Sequence, residues 1–204
     1  MPFLLRVRLP DVPGSLGRLA TAIGEAGGDI EAIEFVEHTE DSAIDDVLLD
    51  MAPGTMPDSI VSACNSLDGV EVLWISRYAA GGSLMLDLEA VEELTVHRTE
   101  ALDRVVDLLP HTFRADWAAR VRRTPDGGAE VVHATSAAPD SCDWHDVDRA
   151  AAVPSSDENT VLAAAHLLHG EIVLLGRRGG PEILESELAR LSHLIGLAVS
   201  ISRS

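Results

Sequence analysis

Two stretches of this chain gather residue types that can do chemistry. The first is Asp11-Val12-Pro13-Gly14-Ser15-Leu16, a Pro-Gly pair set between a strand-like alternation and a helix-like repeat. Amides at the start of a helix lack intrahelical acceptors and attract carboxylates or phosphates. The same residues also make an ordinary strand-to-helix turn, in which Asp11 caps the helix and asks nothing of a ligand. The second stretch is Cys142-Asp143-Trp144-His145-Asp146-Val147-Asp148, which brings together a thiol, an imidazole and carboxylates. A metal there needs ligands from another segment, such as His133 or His166, to reach four. A small enzyme would use Cys142 and His145. The plain alternative is an acidic loop beside a partly buried Trp144.

Composition removes many other chemistries. The chain has 204 residues and a net charge of −19, with 34 acidic residues against 15 arginines and no lysine. That surface repels phosphate backbones and anionic membranes, so neither nucleic acid nor membrane is an expected partner. The absence of lysine excludes a P-loop lysine, a Schiff-base lysine and a kinase-type phosphate lysine together. No G-x-S-x-G, H-E-x-x-H or well-placed G-x-G-x-x-G is present. Cys64 and Cys142 are far apart, and Cys64 occupies an apolar helix position, so free thiols in a reducing cytoplasm are expected. The N-terminus lacks a leader pattern, and no stretch approaches the roughly 18 apolar residues of a membrane span. A soluble cytosolic protein of bacterial composition is expected, with no cofactor.

The elements around the first stretch are legible from periodicity. Phe3, Leu5, Val7 and Leu9 alternate with Leu4, Arg6 and Arg8, as in a strand. Leu16, Leu19, Ala20 and Ile23 then repeat as one helical face, closed by Gly27-Gly28. Strands over Ile30–Glu37 and Ile44–Met51 flank the polar turn Thr39-Glu40-Asp41. A helix opening at Met56-Pro57 carries Ile60, Val61, Cys64 and Leu67, and a strand over Val70–Tyr78 follows. The order is βαββαβ, a ferredoxin-like sandwich.

Asp11-Val12-Pro13-Gly14-Ser15-Leu16, the amphipathic helix and then Gly28-Asp29-Ile30 resemble the ACT domain, whose signature is a D-x-P-G-x-L turn and a G-x-[ND]-I opening of the second strand. The resemblance covers about residues 1–78. It implies an amino-acid-binding regulatory module, paired edge to edge with a second copy as a homodimer. It places the ligand near that interface, against Asp11, Val12, Pro13, Gly14, Ser15 and Leu16, with Asp29 and Ile30 facing it. Amides of Gly14, Ser15 and Leu16 would hold an α-carboxylate, and Asp11 or Asp29 an α-ammonium. The family often has asparagine at the Asp29 position, and an ionised aspartate donates no hydrogen bond. Two expectations follow, a ligand other than the usual neutral amino acids or an empty site.

Beyond Ala79-Ala80-Gly81-Gly82-Ser83, a flexible joint, residues 79–97 read as a linker that includes a connecting helix over Leu84–Leu94. A helix over Arg98–Leu109 ends at Pro110. Strands follow over Asp116–Arg123, Ala129–Ala134, Thr160–Leu168 and Ile172–Arg177, with a loop over Ala137–Ser156 and a last helix over Leu184–Ser200. His166 and His169 fall on opposite faces of a strand, one toward the sheet interior and one at the turn. The turn His169-Gly170-Glu171, the strand Ile172-Val173-Leu174-Leu175-Gly176-Arg177-Arg178 and the closing helix resemble the C-terminus of a GAF domain, over about residues 98–204. The segment between Ala134 and Thr160 is short for the helices that close a ligand pocket in that family, so packing or dimerisation is the role expected there. The fold expected is α+β, a ferredoxin-like ACT sandwich followed by a GAF-like domain. The function expected is a non-enzymatic sensor acting on an unidentified protein partner. The alternative is an interaction module with degenerate ligand sites.

Overall fold

A computed structural model describes residues 2–39, 41–77, 83–168 and 170–204. Most of the expected joint (79–82), Tyr78, Glu40 of the polar turn and His169 lie outside the described residues. The chain is α+β and divides into two compact units, Met1–Gly82 and Ser83–Ser204, each with an antiparallel sheet. Among the described residues no helix is long and apolar enough to cross a membrane.

The first unit runs β1 (Pro2–Pro10), α1 (Ser15–Glu25), β2 (Gly28–His38), β3 (Ser42–Met51), α2 (Pro57–Asn65) and β4 (Glu71–Arg77). This is the βαββαβ order that the periodicity predicts. The sheet order is β2-β3-β1-β4, so β2 and β4 are its edges. Phe3, Leu5, Val7 and Leu9 point to one face, where Leu19 and Ile23 of α1 and Ile60 and Cys64 of α2 meet them. Burying one such aliphatic side chain is worth about 1.5–3 kcal/mol, enough to hold both helices on that face. Gly28 lets β2 pass under the helices, since a Cβ there would stand 2.8 Å from Ile23 and 3.1 Å from Ile60.

The second unit runs α3 (Ser83–Val96), a 3₁₀ turn (Arg98–Glu100), α4 (Ala101–Thr112), β5 (Trp117–Arg123), β6 (Ala129–Ala134), β7 (Ala151–Val153), β8 (Thr160–Leu168), β9 (Glu171–Arg178) and α5 (Glu185–Ser202). Its sheet order is β6-β5-β9-β8-β7. Leu94, Val105, Leu109, Leu191 and Ile195 from the helices pack on Ala118, Ala163, Val173 and Leu175 of the sheet. The other face carries Trp117, Val121, Leu162, Ile172 and Leu174, covered by Cys142, Trp144 and Val147 of the long loop.

Three expectations are corrected here. The predicted linker contains α3, which is the first element of the second unit: its Leu86, Ala90 and Leu94 are buried, and it packs on α4 and α5. Pro110 lies inside α4, whose last turn continues to Thr112 and closes with the Phe113 amide donating to Leu109 at 2.9 Å. A proline so near a C-terminus forfeits one hydrogen bond without ending the helix. The short strand β7 falls inside the predicted loop. Of the two histidines expected on opposite faces, His166 of β8 is exposed and His169 lies outside the described residues.

Candidate functional site

The turn after β1 is open. Gly14 holds φ 91° at the N-cap of α1, and a Cβ built on it would meet nothing within 4 Å. No side chain caps α1, so Asp11 does not act as its cap. Instead the Asp11 amide donates to the Asp41 carbonyl at 3.2 Å, and Asp11 Oδ2 stands 3.4 Å from His38 Nδ1. The Ser15 amide already donates to the Val12 carbonyl at 3.1 Å, and Ser15 Oγ accepts from Arg18 Nη2 at 3.2 Å. Of the three amides expected to hold a carboxylate, the middle one is therefore committed. Asp11, Val12, Pro13 and Gly14 are exposed, Leu16 is half-buried and Ser15 is buried.

Asp29 and Ile30 do not join that turn within one chain. β2 is antiparallel to β3, and β3 is antiparallel to β1, so β2 and β1 run the same way. Asp29 is cross-strand to Asp50, which faces Pro2, whereas His38 pairs with Ala43 at the end where Pro10 meets Ser42. The two halves of the expected site sit a sheet length apart, nine residues of β1, or about 30 Å.

Within β3, across from Val7 of β1, stands Asp45, a buried carboxylate that the sequence reading missed. Asp45 is 1% exposed, stands in register between Val7 and Phe35, and its Oδ1 has no hydrogen-bond partner. Burial pushes its carboxyl above the usual carboxylate range; His38 works against that shift, and the charges of Asp46 and Asp11 add to it. Its neighbour Asp46 points to the opposite face, as successive strand residues do. There it takes both arms of Arg6, at 2.7 and 2.9 Å. The available signal was Asp45-Asp46 inside the apolar run from Ile44 to Leu49.

The second stretch lines a cavity of about 200 Å³ in the second unit. Trp117, Leu162 and Leu174 form its apolar side, and Cys142, His145 and Arg178 its polar side. Trp117 lies flat across the sheet because Gly176 opposite has no side chain: a Cβ there would stand 2.1 Å from the indole. His145 Nε2 is buried without a hydrogen-bond partner. The expected second-segment metal ligands are elsewhere: His133 Nε2 lies 2.7 Å from Asp107, and His166 is exposed. Among the described residues no group of three or more His, Cys, Asp or Glu is placed to hold a metal.

Neither thiol is activated. Burial pushes Cys64 up to about 11, and burial together with the Asp143 charge pushes Cys142 up as well. At pH 8 the Cys64 shift leaves roughly a hundredfold less thiolate than an unshifted thiol has. Iodoacetamide is therefore expected to label the native chain far more slowly than the denatured one, with Cys64 the slowest site by mass spectrometry. Equal rates in the two states would contradict this assignment.

No family model matches the chain, and no curated protein does. Among solved structures, the GAF domain of an Acinetobacter phosphoenolpyruvate-protein phosphotransferase is similar at 8% identity and a TM-score of 0.45, over 61% of this chain and 95% of that one.

Proposed function

We propose that this chain is a non-enzymatic regulatory protein whose first unit, an ACT-type ferredoxin-like module, binds an amino acid at a homodimer interface. In this reading the second unit is GAF-like and carries the change to a protein partner. The observation that carries it is the placing of Asp11 and Asp29 at opposite ends of one sheet, with β2 as an 11-residue edge strand. A lone edge strand presents unpaired amides and carbonyls to a second strand. Two copies of β2 pairing antiparallel about a two-fold axis form an isologous contact. That pairing carries Asp29 of the partner subunit toward the Asp11–Leu16 turn. The ligand carboxylate then meets the Gly14 and Leu16 amides, and its ammonium meets Asp11 and the partner subunit's Asp29. Ligand stabilises the paired arrangement by as much as it prefers it. The acidic surface argues against nucleic acid and membrane as partners, and two free cysteines suit the cytoplasm.

The second reading, an interaction module with degenerate sites, is favoured by the committed Ser15 amide and by aspartate at position 29. Catalysis through Cys142 and His145 is disfavoured by the neutral thiol. Light scattering with thermal denaturation in each amino acid separates the two surviving readings. A dimer is expected, and one class of amino acid at a hundred times its Kd is expected to add about 2.7 kcal/mol, several degrees in Tm. A monomer at tens of micromolar, or no shift with any amino acid, removes the sensor reading.

A further inference from the structure

The cavity of about 200 Å³ in the second unit lies between the sheet and the long loop, on the face away from the helices. Its inner wall is the buried trio Trp117, Leu162 and Leu174, and its mouth reaches solvent at Ser141, Asp143 and Ser156. An apolar interior with a few converging polar groups is the usual form of a small-molecule site. Trp117 supplies a flat aromatic wall, against which a second ring stacks or stands edge-on. An apolar cavity of about 150 Å³ is enough for benzene. About 200 Å³ therefore takes one ring with a hydroxyl and one small alkyl group, whereas a nucleotide is far larger.

Three polar groups at the cavity already have partners. Thr160 Oγ1 donates to Asp157 Oδ2 at 2.7 Å, Asp157 Oδ1 accepts the Asn159 amide at 3.0 Å, and Arg178 Nη2 donates to the Ala137 carbonyl at 3.1 Å. His145 is different. Its Nε2 is shut away from solvent and has no hydrogen-bond partner among the described residues. An unpaired buried nitrogen carries a cost that the polar atom of a ligand removes. A hydroxyl does so in either tautomer, since it donates to a bare ring nitrogen and accepts from an N–H. Net charge on the ligand is opposed from both sides. An anion meets Asp143 and Asp157, and a cation meets Arg178, whose charge acts on Asp157. Either ion also loses its hydration against the apolar wall.

We propose that this cavity binds an uncharged single-ring phenol, with its ring against Trp117 and its hydroxyl on His145 Nε2. The site stands apart from the amino-acid reading of the first unit, and either fails without the other.

The test uses the full chain, with calorimetric titration of 4-methylphenol, toluene, benzoate and benzylamine at neutral pH. 4-Methylphenol is expected to bind at least about tenfold more tightly than toluene, which has its shape without the hydroxyl, and than either charged probe. His145→Leu is expected to bring 4-methylphenol and toluene within about threefold of each other, with toluene itself changing by no more than about twofold. A second measurement locates the site in the unaltered chain, should His145→Leu fold poorly. Saturating 4-methylphenol is expected to slow iodoacetamide labelling of Cys142, which lines the cavity, by at least about fivefold and to leave Cys64 of the first unit unchanged. Toluene binding as tightly as 4-methylphenol, or a gap unchanged in His145→Leu, overturns the hydrogen bond to His145. Benzoate or benzylamine binding as tightly overturns the uncharged ligand. Cys142 labelled at one rate with and without the phenol overturns the cavity as the site. No binding of 4-methylphenol up to its solubility overturns the whole proposal and leaves the first unit's reading untouched.

Discussion

Replacing Arg177 by methionine is expected to destabilise the second unit by about 3–5 kcal/mol, the range found when one member of a buried ion pair is removed. Arg177, the last residue but one of β9, is 3% exposed, and Glu187 in the first turn of α5 is 5% exposed. The guanidinium donates to Glu187 Oε1 at 2.8 Å, to the Phe113 carbonyl at 2.8 Å and to the Pro181 carbonyl at 3.2 Å. Glu187 Oε2 in turn accepts the Leu184 amide at 3.0 Å, which fixes the start of α5. One side chain thus ties a strand end to the C-terminus of α4 and the N-terminus of α5. Gly180 makes room for it, since a Cβ there would stand 2.5 Å from Arg177 Cδ. Methionine fills the volume but takes the guanidinium donors away from Glu187 Oε1 and from the carbonyls of Phe113, Arg114, Pro181 and Glu182. Lysine keeps the charge and loses the fork, so it falls between. Urea denaturation followed by circular dichroism measures the loss. A change under 1 kcal/mol would show that the pair is bystander packing. Pairing Arg177→Met with Glu187→Leu is expected to recover much of the loss, because a matched apolar pair leaves no charge behind.

The elements were legible in the sequence because glycine, proline and apolar period speak locally. The turn at Pro13-Gly14 and the Leu19–Ile23 stripe required no tertiary information, and the buried strand read over Thr160–Leu168 and the hairpin partner read over Ala129–Ala134 have the bounds expected of them. Sheet order was not legible in the same way, and it alone decides which end of β2 meets the turn. Asp29 reads as opposite Asp11 only if the chain partners of β2 are left out. Asp45 was hidden for a different reason. β3 is buried on both faces, from Ala43 through Leu49, so the usual alternation that marks an inward carboxylate is missing. The chemistry of the Cys142–His145 loop was hidden again, because Gly176 and Trp117, which shape its cavity, are 59 residues apart (176 − 117) and meet only as a cross-strand pair.

Asp45 and Asp46 are expected to answer the same substitution with opposite signs. Asp46→Asn removes the countercharge of Arg6, which is 3% exposed, and should cost about 3 kcal/mol or more at neutral pH. Asp45→Asn removes a buried charge whose Oδ1 has no donor and should add about 1 kcal/mol or more there, a modest part of the 1–3 kcal/mol that an unsatisfied buried group costs. The pH dependence fixes the sign. The Asp45 carboxyl is raised by burial, so the native state holds its proton to higher pH than the unfolded chain does. Stability from that group is full below the ordinary carboxylate range and is lost as pH rises through the raised value. The gain in Asp45→Asn is therefore largest at neutral pH and fades toward acid. Glu171 behaves the other way: burial raises its carboxyl, but Arg120 and Arg122 outweigh that and hold it low, so its stability is lost as pH falls. Taking the difference between wild type and each variant cancels such groups. Unfolding free energies at several pH values measure both curves, and an Asp45→Asn chain weaker than wild type at neutral pH would mean that the carboxylate is already paired.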